Sequence, residues 1–185
     1  MKRWAAVMVV SIAGVLSACQ KSSSGGSEPS SAAPARAELL AVGAAAPSLR
    51  ADAHNGETVD LAALRGKPVV VYFYPKDDTP GCTVEAQEIR DVWSELQSTG
   101  AVVIGVSSDD AASHQAFAEK HALPFLLVPD SDHAIAHKFG VPVTNGKAKR
   151  VSFLIGKDGK VAKVFPDVKP QGHGRELVDA IRAAS

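Results

Sequence analysis

Cysteine is scarce in this sequence. There are two in 185 residues, Cys19 and Cys82, so no disulfide framework can hold the fold together. An excess of one charge is also missing. Twenty basic residues balance twenty acidic ones, and no basic stripe marks a nucleic-acid partner. After the first 18 residues no apolar run is long enough for a membrane span. No internal repeat is found. The six histidines include His133 and His137 at i, i+4 on an expected helix. No third ligand joins them, so they read as a solvated pair, and neither metal nor cofactor is expected.

What is present begins at the N-terminus. Lys2 and Arg3 precede the apolar stretch Ala5 to Val15, which is too short for a transmembrane helix and reads as a secretory signal. The ending Leu16-Ser17-Ala18-Cys19 resembles the bacterial lipobox, in which the cysteine is lipidated and becomes the mature N-terminus. An ordinary signal peptide cleaved near Ala18 is the alternative. From Gln20 onward, Ser, Gly, Ala and Pro dominate, the composition of a tether. The expected organisation is a lipoprotein signal peptide over 1–18, a lipidated N-terminus and tether over 19–41, and one domain over 42–185. About 140 to 145 residues suffice for one core. Removing Lys2 and Arg3 from the 20 basic residues leaves 18 against 20 acidic, a net charge of −2. The expected location is the cell envelope, anchored through Cys19 and facing the periplasm. Gln20 stands where an aspartate signals inner-membrane retention in some bacteria, which points to the outer membrane.

The other cysteine lies in Val69-Val70-Val71-Tyr72-Phe73-Tyr74-Pro75-Lys76-Asp77-Asp78-Thr79-Pro80-Gly81-Cys82-Thr83. Val69 to Tyr74 reads as a buried strand. Thr79 suits an N-cap and Pro80 the first helical position, so Cys82 falls in the first turn of a helix. Unpaired N–H groups and the positive end of the helix dipole favour a thiolate there. Asp77 and Asp78 read as loop polarity beside this site.

The rest of the chain alternates. Asn55-Gly56 marks a hairpin within Pro47 to Leu61. A helix is expected from Cys82 to about Ser98, with Ile89, Val92, Trp93 and Leu96 on its apolar face and Gly100 ending it. Ala101 to Val106 reads as a strand, Asp110 to His121 as a helix, and Leu123 to Val128 as a short strand whose start Pro124 turns into edge or loop. Ser131 to Phe139 reads as a short helix. Val151 to Ile155 and Val161 to Phe165 flank the turn Gly156-Lys157-Asp158-Gly159, and Arg175 to Ala184 is a final helix. His114, His121 and His173 are expected at the surface or at helix caps. Strand–helix alternation of this kind implies an α/β fold, a central mixed sheet flanked by helices, with the closing hairpin antiparallel. It is the pattern of a thioredoxin-like fold.

On these residues a resemblance becomes specific. Pro75-x-x-x-Thr79-x-x-Cys82 matches the peroxiredoxin active-site motif. The longer string Tyr72 to Thr83 resembles the bacterioferritin comigratory protein, or Q-type, subfamily. The similarity continues through Gly105-Val106-Ser107, Leu123-Pro124-Phe125 and Arg150-Val151-Ser152-Phe153-Leu154-Ile155. It implies a peroxidase that reduces hydrogen peroxide and organic hydroperoxides, with Cys82 as the nucleophile that becomes a sulfenic acid. Thr79 would orient thiolate and peroxide, and Pro75 would shield the sulfur from water. Backbone N–H groups of Gly81 and Cys82 would complete an oxyanion-type site. Arg150 would sit over the thiolate. That role comes from the resemblance, because by itself the basic run Lys147 to Arg150 reads as surface. The resemblance also implies a monomer.

One position departs from the pattern. Many Q-type members carry a resolving cysteine five residues after the first, where this chain has Gln87. The resemblance then implies a one-cysteine peroxidase whose sulfenic acid is resolved by an external thiol: a thioredoxin-like protein, a glutaredoxin or a small thiol. Two other readings stay open. An exported thioredoxin-like thiol–disulfide oxidoreductase would need Cys-x-x-C, and its first cysteine position is Thr79. A peroxide-sensing relay would use the same thiol chemistry without turnover.

Overall fold

The computed structural model describes residues 38–184. The signal peptide, Cys19 and residues 19–37 of the expected tether lie outside the described residues. Residues 38–41, assigned to the tether from composition, pack on the domain instead. Leu39 and Leu40 rest against its core, and the Leu40 N–H donates to Phe139 O at 3.0 Å. Their apolar side chains, unlike the Ser/Gly run before them, have something to gain from burial.

The organising element is β3, Val69–Phe73, whose five residues are all buried. It follows the hairpin of β1 (Arg50–Asp52) and β2 (Thr58–Asp60), which pair antiparallel around Asn55-Gly56 as expected. Strands β4 (Val102–Ser107) and β5 (Leu126–Pro129) extend the sheet in parallel on one side of β3. A small hairpin intervenes, β6 (Val143–Thr144) and β7 (Lys147–Ala148). On the other side of β3 run β8 (Val151–Ile155) and β9 (Val161–Phe165), each antiparallel to its neighbour. The order β5-β4-β3-β8-β9 is the mixed, thioredoxin-like sheet that the alternation implied.

Period-two alternation along β3 divides the core. Val70, Tyr72 and Tyr74 face one cluster, with residues from helices α1 (Pro80–Asp91), α2 (Trp93–Ser98), α3 (Ala111–His121) and α5 (His173–Ala183). Val69, Val71 and Phe73 face the other, with α4 (Ala134–Lys138) and the first hairpin. Gly105 on β4 is fixed by this packing, since a Cβ there would lie 2.7 Å from the Tyr72 ring and from Leu127.

Three local differences from the sequence reading matter. The single helix over Cys82 to Ser98 is two helices, kinked at Val92 (φ −101°, ψ 14°). The kink lies where α5 crosses, because a Cβ on Gly174 would strike Glu88 O and stand 3.0 Å from Val92. The hairpin β6–β7 was not anticipated, although Asn145-Gly146 at its turn, both at positive φ, is the residue pair such a turn favours. Among the described residues no helix is long and apolar enough to cross a membrane.

Candidate active site

The site forms at the C-terminal end of β3. The Tyr74 N–H still donates to Val106 O at 3.1 Å, after which the chain leaves the sheet through Pro75, Lys76, Asp77 and Asp78. Thr79 is the N-cap of α1 with extended backbone (φ −83°, ψ 148°), and Pro80 occupies the first turn. The Thr79 hydroxyl does not cap the helix. It donates to Lys76 O at 3.0 Å, closing the loop on itself. The first-turn N–H groups, those of Gly81 and Cys82 among them, therefore receive no side-chain cap and remain at the positive end of α1.

Cys82 is 2% exposed. Antiparallel pairing sets Phe73 opposite Val151, which brings Arg150, at the entry to β8, level with the active-site loop. Its Nη2 donates to Cys82 Sγ at 3.2 Å. The ideal Cβ position on Gly81 is 3.3 Å from the same Nη2 and 3.8 Å from Pro170, so the guanidinium lies over this turn of α1. Cys82, Gly81 and Arg150 thus come together; the Thr79 hydroxyl is turned to Lys76 O, Pro75 lies in the loop that leads from β3 to α1, and Cys19 is outside the described residues.

Sequence reasoning missed the partner of Arg150. Glu85 is fully buried, and its Oε2 accepts from Arg150 Nη1. Burial pushes the Glu85 carboxyl up from 4.5 to about 7, against the pull of Arg150. Arg150 is partly buried, which works against its charge. The carboxylate of Glu85 and then the sulfur of Cys82 nevertheless hold its pKa above the ordinary value. Glu85 Oε1 and Tyr72 Oη are buried with no hydrogen-bond partner. The spacing held the signal: Glu85 follows Cys82 by three residues, one helical turn, on the same face.

Asp77, His114 and His173 also differ from expectation. Asp77 is 6% exposed. It accepts from Tyr74 Oη at 2.7 Å, from Ser113 Oγ at 2.8 Å and from His114 Nδ1 at 2.9 Å. Asp78 accepts from Lys120 Nζ at 2.7 Å and His121 Nε2 at 2.8 Å. His114 and His173 are fully buried rather than at the surface. Ser152 Oγ lies 2.9 Å from His173 Nε2, and Glu176 Oε2 lies 3.1 Å from His173 Nδ1. Both ring nitrogens of His173 thus have oxygen partners, whereas His114 is held through Nδ1 alone and its Nε2 is buried with no hydrogen-bond partner. His133 and His137 have ring centroids 6.4 Å apart, and among the described residues no His, Cys, Asp or Glu group could hold a metal ion.

A buried thiol with a guanidinium on its sulfur, at the open end of a helix, can attack an electrophile and stabilise the anion that leaves. The comparisons with known proteins agree with that chemistry. The model described as the AhpC/TSA family matches residues 42–164. Peroxiredoxin Bcp of Bacillus subtilis is 41% identical over 153 residues, 79% of this chain and 98% of its own length. Peroxiredoxin Bcp of Escherichia coli is 42% identical over 141 residues, 72% of this chain and 90% of its own. Among solved structures, the bacterioferritin comigratory protein of Xanthomonas campestris, described for its alkyl peroxide reduction activity, superposes with a TM-score of 0.71 at 33% identity. That match covers 79% of this chain and 98% of the other.

Proposed function

This chain belongs to the AhpC/TSA family, among the peroxiredoxins of the Bcp and Q kind; it is a thiol-dependent peroxidase, and we propose that it works through one cysteine. The observation that carries the reading is the 3.2 Å contact from Arg150 Nη2 to Cys82 Sγ at the first turn of α1. The Cys82 thiolate attacks one oxygen of a hydroperoxide. An S–O bond forms and the O–O bond breaks. Sulfur loses two electrons to the peroxide, and the departing alkoxide or hydroxide takes a proton from solvent. Arg150 and the N–H groups of Gly81 and Cys82 stabilise the negative charge as it moves from sulfur to the leaving oxygen. Thr79 and Pro75 hold the approach.

Gln87 occupies the position where a second cysteine would resolve the sulfenic acid. With Cys82 as the sole cysteine of the domain, an external thiol performs that step. Its sulfur bonds to Cys82 and water leaves; a second thiol then releases Cys82 as a disulfide forms between the two donors. Hydrogen peroxide and alkyl hydroperoxides are the proposed oxidants. Thioredoxin-like proteins, glutaredoxin or small thiols are the proposed reductants.

The N-terminus supports a location. Leu16-Ser17-Ala18-Cys19 and the polar run behind it suit a lipid-anchored protein on the periplasmic side of the envelope, at the outer membrane. Replacing Cys19 with alanine releases the protein from membranes if this is so; retention without Cys19 contradicts it. A monomer fits the surface, since Val42, at 63% exposed, is the one large apolar side chain standing exposed among the described residues.

The enzymatic test is steady-state peroxide consumption with dithiothreitol, glutathione plus glutaredoxin, or thioredoxin plus its reductase as donor. Turnover that disappears in Cys82→Ser is the expected result. Stoichiometric oxidation of Cys82 without turnover on any donor contradicts the peroxidase cycle and favours a sensor.

A further inference from the structure

The central strands give the domain two unlike ends. β3 leaves for the active-site loop after Phe73, and Arg150 stands at the entry to β8. The opposite ends of the same two strands, Val69 and Ile155, line a cavity of about 420 Å³. A strand of this length, roughly 16 Å, separates that cavity from the end that carries Cys82. Leu49, Leu61 and Leu64 make the cavity apolar within, and exposed Arg65 and Lys67 make its rim basic.

Four cations gather at this end without a carboxylate. Lys157 and Lys160 join Arg65 and Lys67 from the adjoining turn, where the Gly66 N–H donates to Lys157 O at 2.9 Å. All four residues are exposed, and among the described residues none of them forms an ion pair. Arg65 is fixed all the same. Its Nη1 donates to Asp158 O, and its guanidinium lies against Gly159, leaving no room for a Cβ there. The carboxylates nearby are engaged elsewhere: Asp60 pairs with Arg50, and Asp158 Oδ1 accepts from the Lys160 N–H. The cavity beside β9 differs, since Lys163 and Lys169 share it with Asp167, Glu176 and Asp179.

The N-terminal lead-in runs along the same turn. The Ala46 N–H donates to Gly159 O at 3.0 Å and the Gly43 N–H to Val161 O at 2.8 Å. Val42, just before them, is the large apolar side chain that stands exposed. The chain from Cys19 enters the described domain at Glu38, four residues ahead of Val42. Unpaired cations around an exposed apolar residue suit a membrane surface. Anionic headgroups attract lysine and arginine, and the apolar side chain enters the interface.

We propose that this end of the domain, through Arg65, Lys67, Lys157, Lys160 and Val42, docks on a bilayer of anionic phospholipid, with a phosphodiester headgroup at the mouth of the cavity. The proposal rests on the reading of Cys19 as a lipid anchor, which delivers this end to the bilayer. Docking turns Cys82 away from the membrane, so hydroperoxide and thiol reach it from the aqueous side.

The test maps lysine reactivity on the full chain, by amine acylation and mass spectrometry, with vesicles of phosphatidylcholine alone or of phosphatidylcholine with phosphatidylglycerol. With the anionic vesicles Lys67, Lys157 and Lys160 are expected to react at least about 5-fold more slowly than with the neutral ones. Lys76 and Lys120, beside the active-site loop, should react equally with both. Added salt should restore reactivity. Lys157→Glu together with Lys160→Glu should abolish the protection of Lys67 and leave the rate constant of Cys82 for hydrogen peroxide unchanged. Equal reactivity of all lysines with both vesicles overturns the proposal, as does protection that covers Lys76 and Lys120 equally. The anchor is judged apart, by the presence or absence of acyl mass on Cys19. A chain without it still meets the anionic vesicles through this face, and the labelling pattern decides the docking either way.

Discussion

Two arginine–glutamate clusters in this protein do opposite things. Arg175 and Arg182 on α5 reach Glu95 on α2, at 2.6 and 3.0 Å, with all three side chains a third or more exposed. Arg150 reaches Glu85 where one side chain is 16% exposed and the other fully buried. The exposed pairs are satisfied, and they hold the Glu95 carboxyl below the usual carboxylate range, chiefly through the bond from Arg175. At the buried pair Glu85 Oε1 is left without a partner, and burial pushes that carboxyl up against the pull of Arg150. Water accounts for the contrast. Exposed charges gain little from pairing, whereas buried ones interact strongly after a large loss of hydration. The protein keeps the costly pair where a guanidinium must point at a sulfur, and the mild pairs where helices need only be tied together.

Substitutions can sharpen this comparison. The largest effect is expected from Arg150→Ala, which removes a donor aimed at the reacting sulfur and slows peroxide reduction by roughly 10²- to 10³-fold. Arg175→Ala is the matched change at the surface, and its rate constant for peroxide should equal that of the unaltered protein. Equal losses in the two variants would break the distinction.

The next effect concerns stability against pH. The folded-state pKa of Glu85 is raised from 4.5 to about 7. The folded protein thus holds a proton that the unfolded chain has released between these values. Its favourable contribution is complete below pH 4.5 and is lost as pH rises through 7. The window corresponds to about 3 kcal/mol at most. Chemical denaturation from pH 4.5 to 7.5 should show a flatter profile for Glu85→Gln than for the unaltered protein, and superimposable profiles would contradict the buried-carboxylate account. The smallest effect is expected from Tyr72→Phe. The Tyr72 hydroxyl is buried without a partner, so deleting it should leave peroxide reduction intact and stabilise the fold by about 1 kcal/mol. A loss of activity would mean that this hydroxyl takes part in the chemistry.

The sheet was legible because its signals are local. Val69 to Tyr74 is apolar throughout, and the strands Val151 to Ile155 and Val161 to Phe165 fall where the flanking Gly156 and Gly159 turn implied. Cys82 was legible for a similar reason, since strand, cap, proline and thiol follow one another within 15 residues. Its electrostatic partner was not. Sixty-eight residues separate Arg150 from Cys82, and antiparallel register rather than spacing unites them. Glu85 escaped because the apolar stripe of α1 was traced through Ile89 and Val92, which hides a buried carboxylate. His114 and His173 were misjudged because the groups that let these imidazoles be buried, Asp77 and Ser152, lie far from them in sequence. The helix kink at Val92 depends on the crossing of α5, which no local pattern announces.

The central claim is that Cys82 alone carries the peroxide chemistry and is resolved from outside. The most direct measurement is the intact mass of the purified chain after one equivalent of hydroperoxide, with and without a sulfenic-acid trap, followed by addition of thiol. The account predicts the gain of one oxygen on Cys82, capture of that species by the trap, and its return to the free thiol through a mixed disulfide with the donor. An unoxidised Cys82 beside consumed peroxide, or an oxidised Cys82 that no thiol reduces, would contradict it.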